Sequence, residues 1–222
     1  MKQRTALALI AAVAVALIGS HGSASAANST PAIEAFNAAF DRVNDFTYKL
    51  HSHETKGSDV QDRVYDYSFM KPHYAKTLIE SGANAGSGGV WVGGDQVSGH
   101  QGGILSHFHL KVSVHDPRAT SLRGYTIADG LPQNIIANYA STKGELKQSP
   151  GGKVDGQETD LLDLKVADPA SNGGISEQKI YLSQDTHWPL RQILYAGDQV
   201  VLDQSFTDFK TNTGLTQNDF PF

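Results

Sequence analysis

Alternation of apolar and polar residues dominates the chain after position 45 and restricts most of it to β-strands. Residues 46–50 (FTYKL) alternate in this way, and after a turn at residues 56–59 so do residues 65–69 (YDYSF). Because side chains two positions apart lie on the same face of a strand, each run has one aromatic or aliphatic face. The two runs predict a β-hairpin with an aromatic face.

Further strands are predicted along the rest of the chain. A third strand is expected at residues 73–79, and residues 107–114 (HFHLKVSV) carry the cleanest alternation, with one apolar and one hydrophilic face. The glycine-rich stretch 81–103 is interpreted as short strands separated by turns and bulges. Four more runs, at residues 160–166, 178–183, 190–195 and 199–209, complete an antiparallel meander.

Two segments have helical rather than strand periodicity. The first begins with Thr30 as a candidate N-cap and Pro31 at the first helical position, where its missing N–H is tolerated. The second covers residues 129–141, with Pro132 in its first turn. The apolar residues at helical spacing are Ile33, Phe36, Phe40 and Val43 in the first, and Leu131, Ile135, Ile136 and Tyr139 in the second. Strands with two helices predict an α+β fold.

The first 26 residues have the three parts of a secretory signal. Lys2 and Arg4 form a basic start, residues 6–18 are uncharged and apolar, and residues 24–26 (ASA) offer a cleavage site. The apolar run is too short to span a bilayer, for which about twenty residues are needed. We therefore expect a signal peptide at 1–26 and a single soluble domain at 27–222, exported to the periplasm.

Cysteine is absent from the whole sequence. A lipid-anchored protein needs a cysteine at its cleavage site, so the chain is expected to carry no lipid anchor of its own. Disulfides, thiolate metal sites and a cysteine nucleophile are excluded for the same reason. The stability of the domain must come from packing.

The charge of the expected mature chain is mildly acidic. Two of the 18 basic residues lie in the leader, so 16 remain against 23 acidic residues, a formal charge of -7. Such a surface disfavours nucleic acid and anionic membranes as partners. A monomer is expected.

Histidines form two pairs at strand spacing. His51 and His53, and likewise His107 and His109, would point to the same side of their strands, a spacing that can hold a metal ion. No HExxH motif accompanies them, and alternation places His107 and His109 with Lys111 opposite the apolar face. A solvated sheet face is the simpler interpretation, and a metal site stays the alternative.

Signatures of catalysis and of nucleotide binding are missing. The sequence has no Walker pattern, no complete dinucleotide fingerprint and no G-x-S-x-G elbow, and acids such as Asp160 and Asp163 have nothing that places them in a cleft. We expect a protein that is not an enzyme and has no cofactor. The aromatic face of the early strands is the informative feature, and it forms either ordinary core or the wall of an apolar cavity.

Several short motifs, taken in order, resemble the LolA/LolB-like superfamily of periplasmic lipoprotein carriers. They are the leader, the first helix, Lys71-Pro72, and in the C-terminal half residues 179–182 (KIYL), 187–191 (HWPLR), 193–195 (ILY) and 206–210 (FTDFK). The middle, residues 89–139, looks closer to the uncharacterised DUF1571-type branch.

The resemblance implies a strongly curved, unclosed antiparallel sheet, a half-barrel, whose concave face is covered by helices and encloses an apolar cavity for acyl chains. An arginine on the sheet ties down the helical lid in those carriers, and Arg63 is the comparable residue here. The side chains expected to line the cavity are Phe36, Tyr48, Leu50, Tyr65, Tyr67, Phe69, Trp91 and Ile135.

The sequence thus predicts an exported protein that binds lipid, or the acyl chains of lipoproteins, between the sheet and the helices around Phe36 and Ile135. It would serve transport or maintenance of the cell envelope, with membrane proteins of the envelope as candidate partners. Two alternatives remain open. One is a periplasmic metal-binding protein using His107, His109 and His51 or His53, and the other is an envelope-assembly scaffold without a ligand.

Overall fold

The computed structural model describes residues 28–222. The expected signal peptide lies outside these residues. Helix α1 spans Pro31–Asp41, and the Thr30 side chain caps it by accepting a hydrogen bond from the Ile33 N–H at 3.3 Å. The predicted start is therefore confirmed, whereas the helix ends before Val43, which is nevertheless buried in the core.

Eleven antiparallel strands form one sheet. They are β1 (Asp45–Lys56), β2 (Asp59–Met70), β3 (Tyr74–Gly82), β4 (Gly88–Trp91), β5 (Gln96–His100), β6 (Leu110–Ser113), β7 (Gly144–Val154), β8 (Gln157–Val166), β9 (Glu177–Ser183), β10 (Pro189–Ala196) and β11 (Gln199–Thr211). Helix α2 (Pro132–Ser141) stands between β6 and β7.

The strands follow one another across the sheet with a single change of order. The sheet runs β6-β5-β4-β3-β2-β1-β11-β10-β9-β8-β7, so the first and last strands pair at its centre. Strands β6 and β7 are its two free edges, and the sheet is not closed into a barrel. The expected α+β fold with an unclosed antiparallel half-barrel is confirmed.

The two helices cover part of the concave face and pack on the sheet through a cluster of buried apolar side chains. Phe36 of α1 meets Trp188 edge to face, with ring centroids 5.4 Å apart, and Phe46 stacks on Phe69 at 4.9 Å. Ile135 and Ile136 of α2 are buried in the same cluster. This region is a packed aromatic and aliphatic core.

The strands differ from those predicted in two places. The sequence does not predict β7, because residues 144–154 are rich in glycine and polar residues and include Pro150 at a bulge. The strand predicted at residues 107–114 is limited to β6, and its apolar face is not buried: Phe108 is 67% exposed and Leu110 is 59% exposed. Strand β6 is an edge strand paired only with β5, so nothing forces that face into the core.

Among residues 28–222, no helix is both long enough and apolar enough to span a membrane.

The residues after β11 pack against the sheet. The buried Asp45 carboxylate accepts hydrogen bonds from the Thr213 hydroxyl at 2.6 Å and from the Gly214 N–H at 3.2 Å. Phe220 is then buried, with its ring 5.8 Å from that of Tyr74 on β3.

Candidate functional site

A cavity of about 840 Å³ lies between strands β2–β6 and the connection from β6 to α2. We call this connection, residues 114–131, the covering loop. Here a chain without regular structure replaces the helices that cover the rest of the concave face. The apolar or aromatic side chains that line the cavity are Tyr65, Tyr67, Ile79, Ala85, Val97, Phe108, Leu110, Val112, Pro117, Ala119, Tyr125 and Ile127.

Glycines on the sheet side of this cavity increase its depth, because they place no side chains in it. Gly89 of β4 and Gly99 of β5 are paired neighbours, and both line the cavity. A Cβ at Gly99 would lie 2.9 Å from the Gly88 carbonyl oxygen, so this close approach of the strands excludes larger residues. A Cβ at Gly89 would point toward Val97, at 3.3 Å from its Cγ2. The glycine-rich segment therefore contributes depth.

The covering loop is fastened to the tip of the β1–β2 hairpin. The buried carboxylate of Glu54 accepts hydrogen bonds from the Ser121 hydroxyl at 2.7 Å and from the Arg123 N–H at 3.0 Å. The Gln61 side chain accepts from the Leu122 N–H at 3.0 Å. Polar contacts therefore hold the loop at the hairpin tip, while its last residues are buried in the apolar core.

The mouth of the cavity is apolar. Phe108 and Leu110 line the cavity and are also largely exposed, and Ile104, in the short 3₁₀ turn before them, is exposed over 93% of its surface. Exposed apolar groups at one place on a protein surface are typical of sites that bind apolar partners. The cavity thus opens toward a surface that favours contact with apolar matter.

Arg63 on β2 lines the cavity and is only 8% exposed. Its Nε–H donates to the Ala83 carbonyl oxygen at 2.9 Å and its Nη1 donates to the Tyr65 hydroxyl at 3.1 Å. These partners lie on the sheet and on the turn after β3. The expected contact of Arg63 with a helical lid stays a prediction, and in the described part of the chain its hydrogen bonds go to these partners rather than to α1 or α2.

The tyrosines beside Arg63 remain protonated at neutral pH. Burial raises the pKa of Tyr67 well above its ordinary value. Burial also raises the pKa of Tyr65, although the neighbouring Arg63 guanidinium opposes that shift. Their phenol groups therefore offer hydrogen bonds without adding negative charge to the cavity.

The residues predicted to line a cavity separate into three groups. Tyr65 and Tyr67 line the cavity described above. Trp91 is half-buried at the margin of the core, and its Nε1–H donates to the Gly94 carbonyl oxygen at 2.9 Å. The others lie in the packed core, outside the cavity wall: Phe36, Tyr48, Leu50, Phe69 and Ile135.

Sequence reasoning missed the whole covering loop. Residues 117–127 supply eight of the lining positions, among them Pro117, Ser121, Tyr125 and Ile127. Their signal in the sequence was weak, because a loop has no periodicity that would indicate which of its side chains turn inward. The sequence motif Asp116-Pro117 marks only where the loop begins.

The histidine pairs do not assemble into a metal site. Nδ1 of His53 lies 2.7 Å from an Asp62 carboxylate oxygen, and Nε2 of His51 lies 3.3 Å from the Thr207 hydroxyl. His109 instead approaches His100, with ring centroids 5.3 Å apart. Within residues 28–222, no three His, Cys, Asp or Glu side chains are placed to hold one ion.

No protein-family model matches the chain, and no curated protein matches it either. Among solved structures, an uncharacterized conserved protein from Thermus thermophilus is similar, with 11% identity, a TM-score of 0.53, and coverage of 83% of this chain and 91% of that chain. A putative outer membrane lipoprotein-sorting protein domain from Vibrio parahaemolyticus is 12% identical, with 85% and 95% covered and a TM-score of 0.43.

A LolA superfamily protein from Nitrosomonas europaea is 11% identical to this chain, with 87% of this chain and 99% of that chain covered and a TM-score of 0.38. At these identities the likeness concerns the fold alone. The finer likeness to the DUF1571-type branch stays a prediction.

Proposed function

We propose that the protein is exported and that it binds lipid, or the acyl chains of lipoproteins, in the cavity beneath the covering loop. Binding is non-covalent, and no catalytic group is required. The observation that carries this proposal is an apolar cavity of about 840 Å³ whose mouth is formed by exposed Phe108 and Leu110. Cavities of roughly 300–1,000 Å³ are typical of sites for small molecules.

The energetics suit an acyl chain. Each methylene removed from water contributes about 0.8 kcal/mol, so about ten methylenes contribute about 8 kcal/mol before the costs of ordering the chain and the loop. Those costs leave affinities in the micromolar range or weaker. A carrier that must also release its ligand works in this range.

The proposed site differs from the sequence-based hypothesis in its position. The ligand lies against Tyr65, Tyr67 and Val97 and under the covering loop, not under the helices, where the core is filled. The protein acts as a monomer in the envelope, with envelope membrane proteins as its partners in loading or release.

A titration with a cavity-filling variant tests this proposal. Delipidated protein is titrated with a fluorescent acyl probe, and native mass spectrometry of freshly purified protein looks for bound lipid. Val97→Trp places an indole in the cavity and should abolish saturable binding. Val60→Trp is the matched control, because Val60 is 60% exposed on β2 and does not line the cavity. Absence of saturable binding, or unchanged binding by a folded Val97→Trp variant, would refute the proposal.

A scaffold without a ligand is the second candidate, and one observation favours it: the space between the sheet and the helices is filled by Phe36, Phe46 and Trp188. A scaffold would make no use of the cavity beneath the covering loop. The same titration separates the two, because a scaffold binds no acyl probe and is unaffected by Val97→Trp at equal stability.

A further inference from the structure

We infer that the cavity takes an anionic amphiphile whose charged group pairs with the buried Arg63 while its chain extends toward Phe108 and Leu110. The inference rests on the proposed function and names its ligand class. An acidic single-chain molecule, with a carboxylate or a phosphate as its anionic group, has this chemistry.

The first argument is the incomplete set of partners of Arg63. A guanidinium has five N–H donors, and the protein accepts from two of its nitrogens, Nε and Nη1, through the Ala83 carbonyl and the Tyr65 hydroxyl. The remaining donors lie at the wall of the cavity with no hydrogen-bond acceptor in the described structure. A carboxylate or phosphate oxygen placed in the cavity would complete the set.

The second argument is charge. Buried arginines are normally paired with an acid, because an isolated charge is costly to remove from water. Over residues 28–222, Arg63 forms no ion pair, whereas Arg118, which lines the same cavity, is held by both oxygens of Asp116 at 2.9 and 2.7 Å. The buried Glu54 lies on the same face of the sheet, but the covering loop occupies its Oε2 and it makes no ion pair with Arg63.

The third argument is a row of buried polar residues that starts at Arg63. Arg63 pairs across the strands with Ser52, Ser52 pairs with Gln204, and Gln204 pairs with Gln192. All four are buried, and the Gln204 amide donates to the Ser52 hydroxyl at 3.2 Å. Arg63 is therefore the member of a buried polar row that reaches the cavity, whereas Phe108 and Leu110, elsewhere on the cavity wall, are apolar.

These features fix the orientation of the ligand. Its anionic group lies inside, at Arg63, and its apolar chain fills the space between the sheet and the covering loop. The acyl chains of a lipoprotein enter a cavity with their apolar ends first and bring no anionic group to Arg63. A free acidic amphiphile therefore fits this cavity better than a lipoprotein anchor.

Three probes of equal chain length test the inference on the full mature chain: laurate, dodecyl phosphate and dodecanol. Each is titrated by competition with the fluorescent acyl probe. The wild-type protein should bind at least one of the two anions roughly ten- to hundredfold more tightly than dodecanol, since hydrogen bonds to charged groups are worth this much. The order of laurate and dodecyl phosphate identifies which anionic group the site prefers.

Variants then assign this preference to Arg63. Arg63→Met keeps most of the side-chain volume and should reduce the affinity for the anions to that for dodecanol, while dodecanol binding stays within about twofold of wild type. Arg42→Met is the matched control and should preserve the preference, because Arg42 is exposed at the end of α1 and does not line the cavity. Where Arg63→Met does not fold, Arg63→Lys keeps the charge but loses the forked donors, and the preference should shrink.

The outcomes distinguish the inference from the proposed function. Equal affinities of the wild-type protein for laurate, dodecyl phosphate and dodecanol would overturn the inference and leave the lipid-binding function standing. A preference for anions that a folded Arg63 variant retains in full would likewise overturn the inference and leave the lipid-binding function standing. If none of the three probes binds saturably, the proposed function itself fails.

Discussion

Replacing Glu54 by glutamine should loosen the covering loop without disrupting the sheet. Glu54 is 2% exposed at the end of β1, and a single carboxylate oxygen accepts hydrogen bonds from the Ser121 hydroxyl and the Arg123 N–H. Two further bonds, from Leu122 to Gln61 and from Arg123 to the Thr55 carbonyl oxygen, remain in the variant. The perturbation is thus confined to one attachment of the loop.

The expected size follows from the charge of the acceptor. A hydrogen bond to a charged group contributes about 1.5–3 kcal/mol, against about 0.5–1.5 kcal/mol for a neutral pair. A glutamine oxygen at the same place keeps both bonds as neutral ones, so Glu54→Gln loses about 1 kcal/mol from each. A total of about 2 kcal/mol corresponds to a roughly thirtyfold increase in the population of the open loop.

Hydrogen exchange measured by mass spectrometry reports the population of the open loop directly. Amides of residues 119–125 should exchange about thirtyfold faster in Glu54→Gln than in wild type, while amides of the central strands change much less. Asp116→Asn is the control, because Asp116 pairs with Arg118 inside the loop. Equal exchange of the loop in Glu54→Gln and wild type would show that Glu54 does not hold it.

Three further predictions concern stability, each measured by urea unfolding. Gly130→Ala should lower the free energy of unfolding by about 2 kcal/mol, because the new Cβ would lie 2.2 Å from the Tyr67 hydroxyl; an unchanged stability would contradict this close packing. Burial raises the pKa values of Tyr48, Tyr67 and Tyr139 well above 10.0, so above about pH 10 these three tyrosines ionise only in the unfolded chain. Stability should then fall by up to about 4 kcal/mol per pH unit, and a flat profile between pH 10 and 11 would refute it. Thr30→Ala removes the cap of α1 and should cost about 1 kcal/mol, whereas Thr30→Ser should cost much less.

The parts of the fold that the sequence predicted are those with strong local signals. The β1–β2 hairpin has regular alternation with aromatic residues on one face, and α1 has both a cap at Thr30 and a proline at its start. Strand β7 has neither signal, since its glycines and Pro150 are typical of turns, and it is a strand because β8 pairs with it along its length. Pairing with a partner strand is information that a local pattern does not contain.

The position of the candidate site likewise depends on information that a local sequence pattern does not contain. Alternation correctly placed Tyr65, Tyr67 and Phe69 on one face of β2, yet Tyr65 and Tyr67 border the cavity while Phe69 lies in the core. The difference depends on what covers each position, a helix or the covering loop. Coverage is a property of the tertiary structure, so the sequence predicted the face but not the position of the cavity along it.

The two kinds of cover also explain how one sheet combines stability with access. Helices α1 and α2 present regular rows of side chains that fill the concave face around Phe46 and Leu162, and opening that half would expose a large apolar area at about 25 cal/mol per Å². The first part of the covering loop, up to Arg123, has no such rows, so it leaves a cavity, and hydrogen bonds to Glu54 and Gln61 fasten it. The end of the loop, with Ile127 and Leu131, belongs to the core. Opening only the first part of the loop therefore costs less than opening the core. A ligand can enter beneath the loop while the helix-covered half stays folded, which places binding and stability on different halves of the same sheet.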